Sequence, residues 1–377
     1  MNEAKTDLAI YMPFFGNGGI ERVILNLVQV FLAKGLKVDL VLNQVGKSNF
    51  LNKLPPEVEV FDLKAPGLTL RTSLTMIPKL IDYLKKKQPK TLLSAKHTGP
   101  EIAIIAKHLA MVSTRVAVSE QTNLSLDVKI NNPLGNQMKS NLIPIAIRFL
   151  YPFADGIIAA SRGVAQDLAT TAKLPLESIE VIYNPVITPQ LSQKSQEPVN
   201  HPWFAPEQPP VVLGVGRLDR QKDFPTLIKA FAEVRQVQPA KLVILGSGQE
   251  EKRLLSLVDE LKLKEDVAML GFVENPYAYM ARSAVFVLSS AWEGFGNVVA
   301  EALAAGSPVV STNCPSGPAE ILDNGKYGEL LPVGDNQAMA KAILRVLSGE
   351  IKSVDSHWLE QFQLETVAQK YLDVLQI

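Results

Sequence analysis

Short, almost uninterrupted apolar runs, each followed by a longer amphipathic stretch, recur along nearly the whole chain. In the first half the runs occupy residues 8–12, 38–42, 91–95, 115–119 and 156–160; in the second, 211–215, 241–245, 267–270, 284–288 and 308–311. A strand with one wet face alternates apolar and polar residues, and these runs do not. They suit strands covered on both faces of a parallel sheet. The segments between them, such as 226–237 and 250–261, space apolar residues three and four apart, as helices do. Repeated strand–helix–strand units imply a doubly wound α/β architecture.

The series breaks once. Residues 185–210 hold Pro185, Pro189, Pro198, Pro202, Pro206, Pro209 and Pro210, with Gln, Ser and Asn between them. Such a composition opposes helix and central strand alike and reads as an exposed linker. At 377 residues the chain can bury two cores. The expected plan is a Rossmann-like domain over 1–188, a linker over 189–210 and a second Rossmann-like domain over 211–355. A terminal amphipathic helix within 356–377 follows, packing back across the junction. Two such domains on one linker would face each other across a cleft lined by strand C-termini.

Composition narrows the chemistry. A single cysteine, Cys314, leaves no intramolecular disulfide framework and suits a reducing compartment. Residues 1–7 are polar and the apolar stretch after them is short, so no secretory signal is read and the cytoplasm is the expected address. The apolar tract 142–160 is broken by Pro144, Arg148, Pro152 and Asp155, and reads as a buried helix followed by a short strand rather than a membrane span. There is no Asp-x-Asp, and His97, His108, His201 and His357 lack metal-ligand spacing, so neither metal nor cofactor is expected. Gly-x-Ser-x-Gly is missing as well, and no motif recommends Cys314 as a nucleophile. Net charge is zero, yet residues 1–188 carry 21 Lys/Arg against 15 Asp/Glu. A basic half fits phosphates or acidic lipid headgroups, although an uneven spread of solvated charge explains it equally well. No nucleic-acid partner is expected.

Three segments carry candidate chemistry. Trp292, Glu293, Gly294, Phe295, Gly296 and Asn297 link an apolar run to a helical stretch containing Glu301. Glycines at a helix start let amides approach an anion, and the helix dipole favours negative charge there. Carboxylates on either side can accept hydrogen bonds from sugar hydroxyls, which is a layout for a nucleotide-sugar. The same residues could be capping glycines with two surface glutamates. Resemblance to a dinucleotide fingerprint fails, because no acidic residue follows the next strand. In the segment 214–224, Arg217 and Lys222 flank a loop and can clamp a diphosphate, or pair with Asp219 and Asp223 as a solvated loop. Near the N-terminus, Gly16, Gly18 and Gly19 form a glycine loop before an apolar helix, either a phosphate cradle or a plain turn.

In order and spacing these segments resemble the GT-B glycosyltransferases of family 4, retaining enzymes with two glutamates separated by seven residues. The matching text is 214–223, 245–248, 270–273, Glu293 to Glu301 and Pro308 to Glu320, with Gly18, Gly19, Ile20, Glu21 and Arg22 at the N-terminal loop. The resemblance implies that Arg217 and Lys222 bind the diphosphate. Glu293 and the amides of Gly294, Phe295, Gly296 and Asn297 would hold the transferred sugar, and Glu301 the ribose. Phe272 and Val273 would lie against the base, and Gly18 and Gly19 against phosphate and acceptor. It further implies transfer without a metal and departure of the nucleotide as leaving group. Many relatives carry a histidine at the end of the fourth N-domain strand; here the position holds Glu120, so that either Glu120 or His97 serves beside the reacting sugar. The wording of 314–322 is similar to members that extend bacterial surface polysaccharides with UDP-linked hexoses or N-acetylhexosamines on glycan or lipid-linked acceptors. Peripheral contact with the cytoplasmic membrane face is compatible with this, through Lys85, Lys86 and Lys87. A nucleotide-sugar epimerase or hydrolase on the same scaffold, and a non-catalytic sugar-nucleotide sensor, are the competing readings.

Overall fold

The computed structural model describes residues 6–16, 18–46, 48, 50–65, 70–95, 99–130 and 137–377. The chain divides into two compact units, one comprising residues up to Pro185 together with Gln361–Ile377, the other Val186–Glu360.

The first unit is built on strands β1 (Leu8–Met12), β2 (Val38–Leu42), β3 (Glu59–Asp62), β4 (Thr91–Ala95), β5 (Arg115–Glu120), β6 (Gly156–Ala159) and β7 (Glu180–Val181). They form a parallel sheet in the order β3-β2-β1-β4-β5-β6-β7. The unbroken apolar runs have the expected cause. Leu8, Ile10 and Met12 face one core while Ala9 and Tyr11 face the other, and all five are fully buried. Helix Gly19–Ala33 covers one side with Val23, Leu27 and Phe31. Helix Leu364–Leu375 joins it there: the Tyr371 hydroxyl lies 3.3 Å from Ser119 Oγ, and Thr91 Oγ1 donates to the Leu375 carbonyl at 3.0 Å.

The second unit contains β8 (Val211–Val215), β9 (Lys241–Leu245), β10 (Val267–Met269), β11 (Val285–Leu288), β12 (Val309–Thr312) and β13 (Glu329–Leu331). Its parallel order is β10-β9-β8-β11-β12-β13. The order reverses between β8 and β11, and by the rule for open α/β sheets the crevice beyond the C-terminal ends of such strands receives ligands. The loops leaving these two strands are those singled out above.

Some expectations change. Residues 189–210 are no free linker: Thr188 caps helix Pro189–Ser195, whose proline stands in the first turn where the missing N–H costs nothing. Arg282 donates to the carbonyls of Ser195 and Gln196 at 2.8 and 3.0 Å, and Asn275 to that of Lys194 at 2.9 Å, binding the helix to the second unit. The terminal segment also splits. The turn Ser356–Leu359 stays with the second unit, where Trp358 Nε1 donates to the Ile321 carbonyl at 2.8 Å, and the last helix belongs to the first. The tract 142–160 does yield a helix, Gln137–Leu150, and then β6, but the helix is only partly buried: Leu142, Ile145 and Phe149 face water. Among the described residues no helix is long and apolar enough to cross a membrane.

Candidate active site

The site in the second unit grows from backbone packing. After β9 the chain passes so close to the loop after β8 that a Cβ on Gly246, at φ +135°, would lie 1.9 Å from the Gly216 carbonyl oxygen. The two loops are stitched by Gly216 N–H to the Leu245 carbonyl and Leu218 N–H to that of Ser247, at 2.9 and 3.0 Å. Gly246 in turn donates to the Gly271 carbonyl at 2.7 Å, which draws in Phe272, exposed, and Val273, half-buried. On the other side, the Ala291 amide donates to the Gln221 carbonyl at 2.8 Å and the Ser289 hydroxyl to that of Lys222 at 2.7 Å. The loops after β8 and β11 are therefore one body.

Side chains converge on Glu293, which is 6% exposed. Its Oε1 receives Lys222 Nζ at 2.5 Å and the Ser290 hydroxyl at 2.6 Å; its Oε2 receives Gln221 Nε2 at 3.4 Å. The same Gln221 amide donates to the Trp292 carbonyl at 3.0 Å, and its oxygen accepts from Arg217 Nη2 at 3.3 Å. Arg217, the more solvated cation, also pairs with Asp219 at 3.2 Å. Glu293, Lys222 and Arg217 thus stand in one chain of contacts, with Gln221 as its middle link. Ser290 and Gln221 were not among the sequence candidates. A readable signal existed for the serine, since Ser289 and Ser290 are polar residues closing a fully apolar strand at a switch point. Gln221 had none.

The segment 293–297 is held from below. The Glu293 amide donates to the Pro315 carbonyl at 3.2 Å, and Phe295 is buried. A Cβ on Gly317, at φ +92°, would sit 1.8 Å from the Phe295 carbonyl oxygen, so only glycine lets the two backbones touch. Gly296, at φ +90°, caps helix Asn297–Ala304, whose amide end points toward the loop. Glu301 lies on that helix, 2% exposed, with the Tyr277 hydroxyl 3.5 Å from its Oε1. Cys314 is buried next to this group. Burial, with a contribution from the Glu293 charge, pushes its thiol up to about 12, which suits packing rather than nucleophilic attack.

The remaining candidates belong to the first unit. The amides of Gly16 and Gly18 both donate to the Glu21 carboxylate, at 3.0 and 3.1 Å. The Gly18 amide, expected to face a phosphate, is thus committed to the Glu21 carboxylate at the start of the helix, and Gly19 is the first residue of that helix. Glu120 ends β5, is buried, and accepts a hydrogen bond from the Tyr151 hydroxyl. Burial and then the Glu120 charge push that hydroxyl well above the usual phenol range. His97 lies outside the described residues. Of the lysine run, Lys87 is tied to Glu59 at 3.0 Å with its ammonium over the Phe61 ring, which weakens the run as a free basic patch. Among the described residues no group of three or more His, Cys, Asp and Glu could hold a metal ion.

Known proteins match most of the chain. A family model described as Glycosyl transferases group 1 matches residues 196–357, and one described as Glycosyltransferase Family 4 matches residues 17–190. The chain is 30% identical over 348 residues to a Campylobacter jejuni enzyme, N-acetylgalactosamine-N,N'-diacetylbacillosaminyl-diphospho-undecaprenol 4-alpha-N-acetylgalactosaminyltransferase, covering 91% of this chain and 90% of that one. It is also 30% identical over 206 residues to the lipopolysaccharide 1,6-galactosyltransferase of Salmonella typhimurium, covering 53% of this chain and 54% of that enzyme. Among solved structures, Anabaena HepE in complex with UDP and glucose superposes with a TM-score of 0.78 at 21% identity, over 98% of this chain and 99% of its own. The chain belongs to the glycosyl transferases group 1 and is a glycosyltransferase of the GT-B fold.

Proposed function

We propose that the enzyme transfers a hexose or N-acetylhexosamine from a UDP-linked donor to a lipid-linked glycan in surface polysaccharide assembly, retaining anomeric configuration and using no metal. The observation that carries this reading is the contact chain Arg217–Gln221–Glu293–Lys222 at the sheet's switch point. Two cations there can take a diphosphate and neutralise the charge that grows on it as the sugar–phosphate bond breaks and the acceptor oxygen bonds to the anomeric carbon. A metal would perform the same neutralisation, so the pair makes one unnecessary. Glu293, released from Lys222 as the phosphates arrive, is free to accept from sugar hydroxyls. Glu301 would take the ribose hydroxyls and the segment at Phe272 and Val273 the base. The C. jejuni relative, by its name, acts on a diphospho-undecaprenol-linked sugar, and HepE was solved with UDP; both support the acceptor and donor classes proposed.

Product analysis tests the reading. With a panel of UDP-sugars and a polyprenyl-diphosphate-linked sugar, label should move to the lipid, with the donor's anomeric configuration, at the same rate with and without chelator. Free sugar or an epimerised donor, formed equally without acceptor, would replace the transferase reading by the hydrolase or epimerase one. Loss of activity in chelator would remove the metal-free claim.

A further inference from the structure

The two cations of the candidate site stand among four charges that cancel. Lys222 is paired with Glu293, and Arg217 with Asp219, whose Oδ2 lies 3.2 Å from Arg217 Nη2. The pairs differ in depth. The side chains of Lys222 and Glu293 are 14% and 7% exposed, those of Arg217 and Asp219 69% and 20%. An exposed pair holds weakly and opens readily; a buried one does not.

Asp219 does more than balance Arg217. Its other oxygen, Oδ1, accepts the backbone N–H of Lys222 at 3.2 Å, which turns the loop between the two cationic residues. One carboxylate thus engages the side chain of the first cation and the backbone of the second, two donors that a phosphate could equally use. Asp223, four residues on, is engaged instead by the Thr226 hydroxyl at 2.6 Å, at the start of helix Phe224–Val237. We propose that Asp219 is a built-in anion that occupies the Arg217 side of the site until a diphosphate displaces it. It keeps the loop ordered in the empty enzyme and holds nucleotide affinity down, so that the nucleotide leaves after transfer. On the diphosphate reading above, on which this role rests, Asp219 opposes the group that its neighbours attract.

Isothermal titration of UDP into the full chain tests it, with a thermal melt of each protein. Asp219→Asn keeps an oxygen for the Lys222 amide and removes the charge. It should fold like wild type and bind UDP about fivefold more tightly, the scale of one exposed charge pair. The gain should shrink as salt is added. Asp219→Ala removes the charge and the turn together and should gain less; an equal gain there would strike the loop-ordering half of the proposal. Asp223→Asn makes the same charge change nearby and should alter affinity less than about twofold. If Asp219→Asn melts early, Asp219→Ser, whose hydroxyl can take the same amide, replaces it. Unchanged or weaker binding in the neutral variants would overturn the proposal, because replacing a residue that only shapes the loop loses affinity and does not gain it. An equal gain in Asp223→Asn would overturn it as well, reducing the effect to net charge. Arg217→Ala in the same titration separates the two readings. If it binds UDP as wild type does, the diphosphate site itself is misplaced; if it binds more weakly while Asp219→Asn gains nothing, the role of Asp219 alone fails.

Discussion

Nζ of Lys222 lies 2.5 Å from Oε1 of Glu293, an ion pair that joins the loop after β8 to the loop after β11 with both side chains largely withdrawn from water. Before a diphosphate can use the cation, this pair must open. The protein holds Lys222 in place with a carboxylate that the proposed reaction then needs for another purpose.

Removing one partner should therefore have two separable effects. Lys222→Ala leaves a buried carboxylate without its cation and should destabilise the fold by about 3 kcal/mol. It should also lower turnover by roughly two to three orders of magnitude, the scale for losing one group that stabilises developing charge. Adding Glu293→Gln should restore most of the thermal stability and none of the activity. Recovery of activity in the double variant would show that the cation acts only by holding Glu293.

Gln221 is a positioning residue between Arg217 and Glu293. Gln221→Ala should reduce kcat about tenfold while the melt moves little, since the amide is only part-buried and the lost bonds are neutral or long. Gln221→Glu keeps the volume but sets a second carboxylate beside Glu293, and should be worse in kcat than the alanine variant. Donor saturation curves check both; equal kcat in all three forms would leave Gln221 a bystander.

Gly317 is the steric foundation of the 293–297 segment. Gly317→Ala must displace the Phe295 backbone and should cost more than about 2 kcal/mol, with donor binding weakened as the segment moves. Gly349→Ala, at φ +100° but with nothing within 4 Å, isolates the backbone strain, about 1 kcal/mol. Chemical denaturation of the two variants gives the comparison. Equal losses would mean that the Phe295 contact yields easily.

Cys314 makes a prediction in pH. Its folded thiol titrates at about 12 against an ordinary value of 9.0, so between these the folded state keeps a proton that the unfolded chain loses. Stability is then fully present below about pH 9 and falls as pH rises toward the folded value. Between pH 9 and 10 the wild type should lose more stability than Cys314→Ser, and the native thiol should resist alkylation at pH 8. Parallel curves for the two proteins, or rapid native alkylation, would contradict the burial argument.

The central strands were legible in sequence because burial on both faces leaves unbroken apolar runs. β3, β7 and β13 were not: they are sheet edges, short and half-wet, and Glu59, Asp62, Glu180 and Glu329 break any pattern. The linker misled for a related reason, since proline opposes helix interiors but suits first turns, and only the carbonyl contacts of Arg282 reveal that the segment packs. At the candidate site, motif order singled out Arg217, Lys222, Glu293 and Glu301 as candidates, while Gln221 gains meaning only from atoms brought together across 72 residues of sequence, and Ser290, three residues from Glu293, only from its place at the end of an apolar strand. The Gly18 amide illustrates the opposite case. A glycine loop before a helix reads as an anion cradle until Glu21 is seen to occupy it.

Isothermal titration of UDP against wild type, Lys222→Ala and Arg217→Ala tests the diphosphate site most directly, because it needs neither acceptor nor turnover. The nucleotide should bind wild type with about one molecule per chain, and each variant about tenfold or more weaker, as expected for a charged contact to phosphate. Equal affinity in all three proteins would place the diphosphate elsewhere and contradict the role given to these cations.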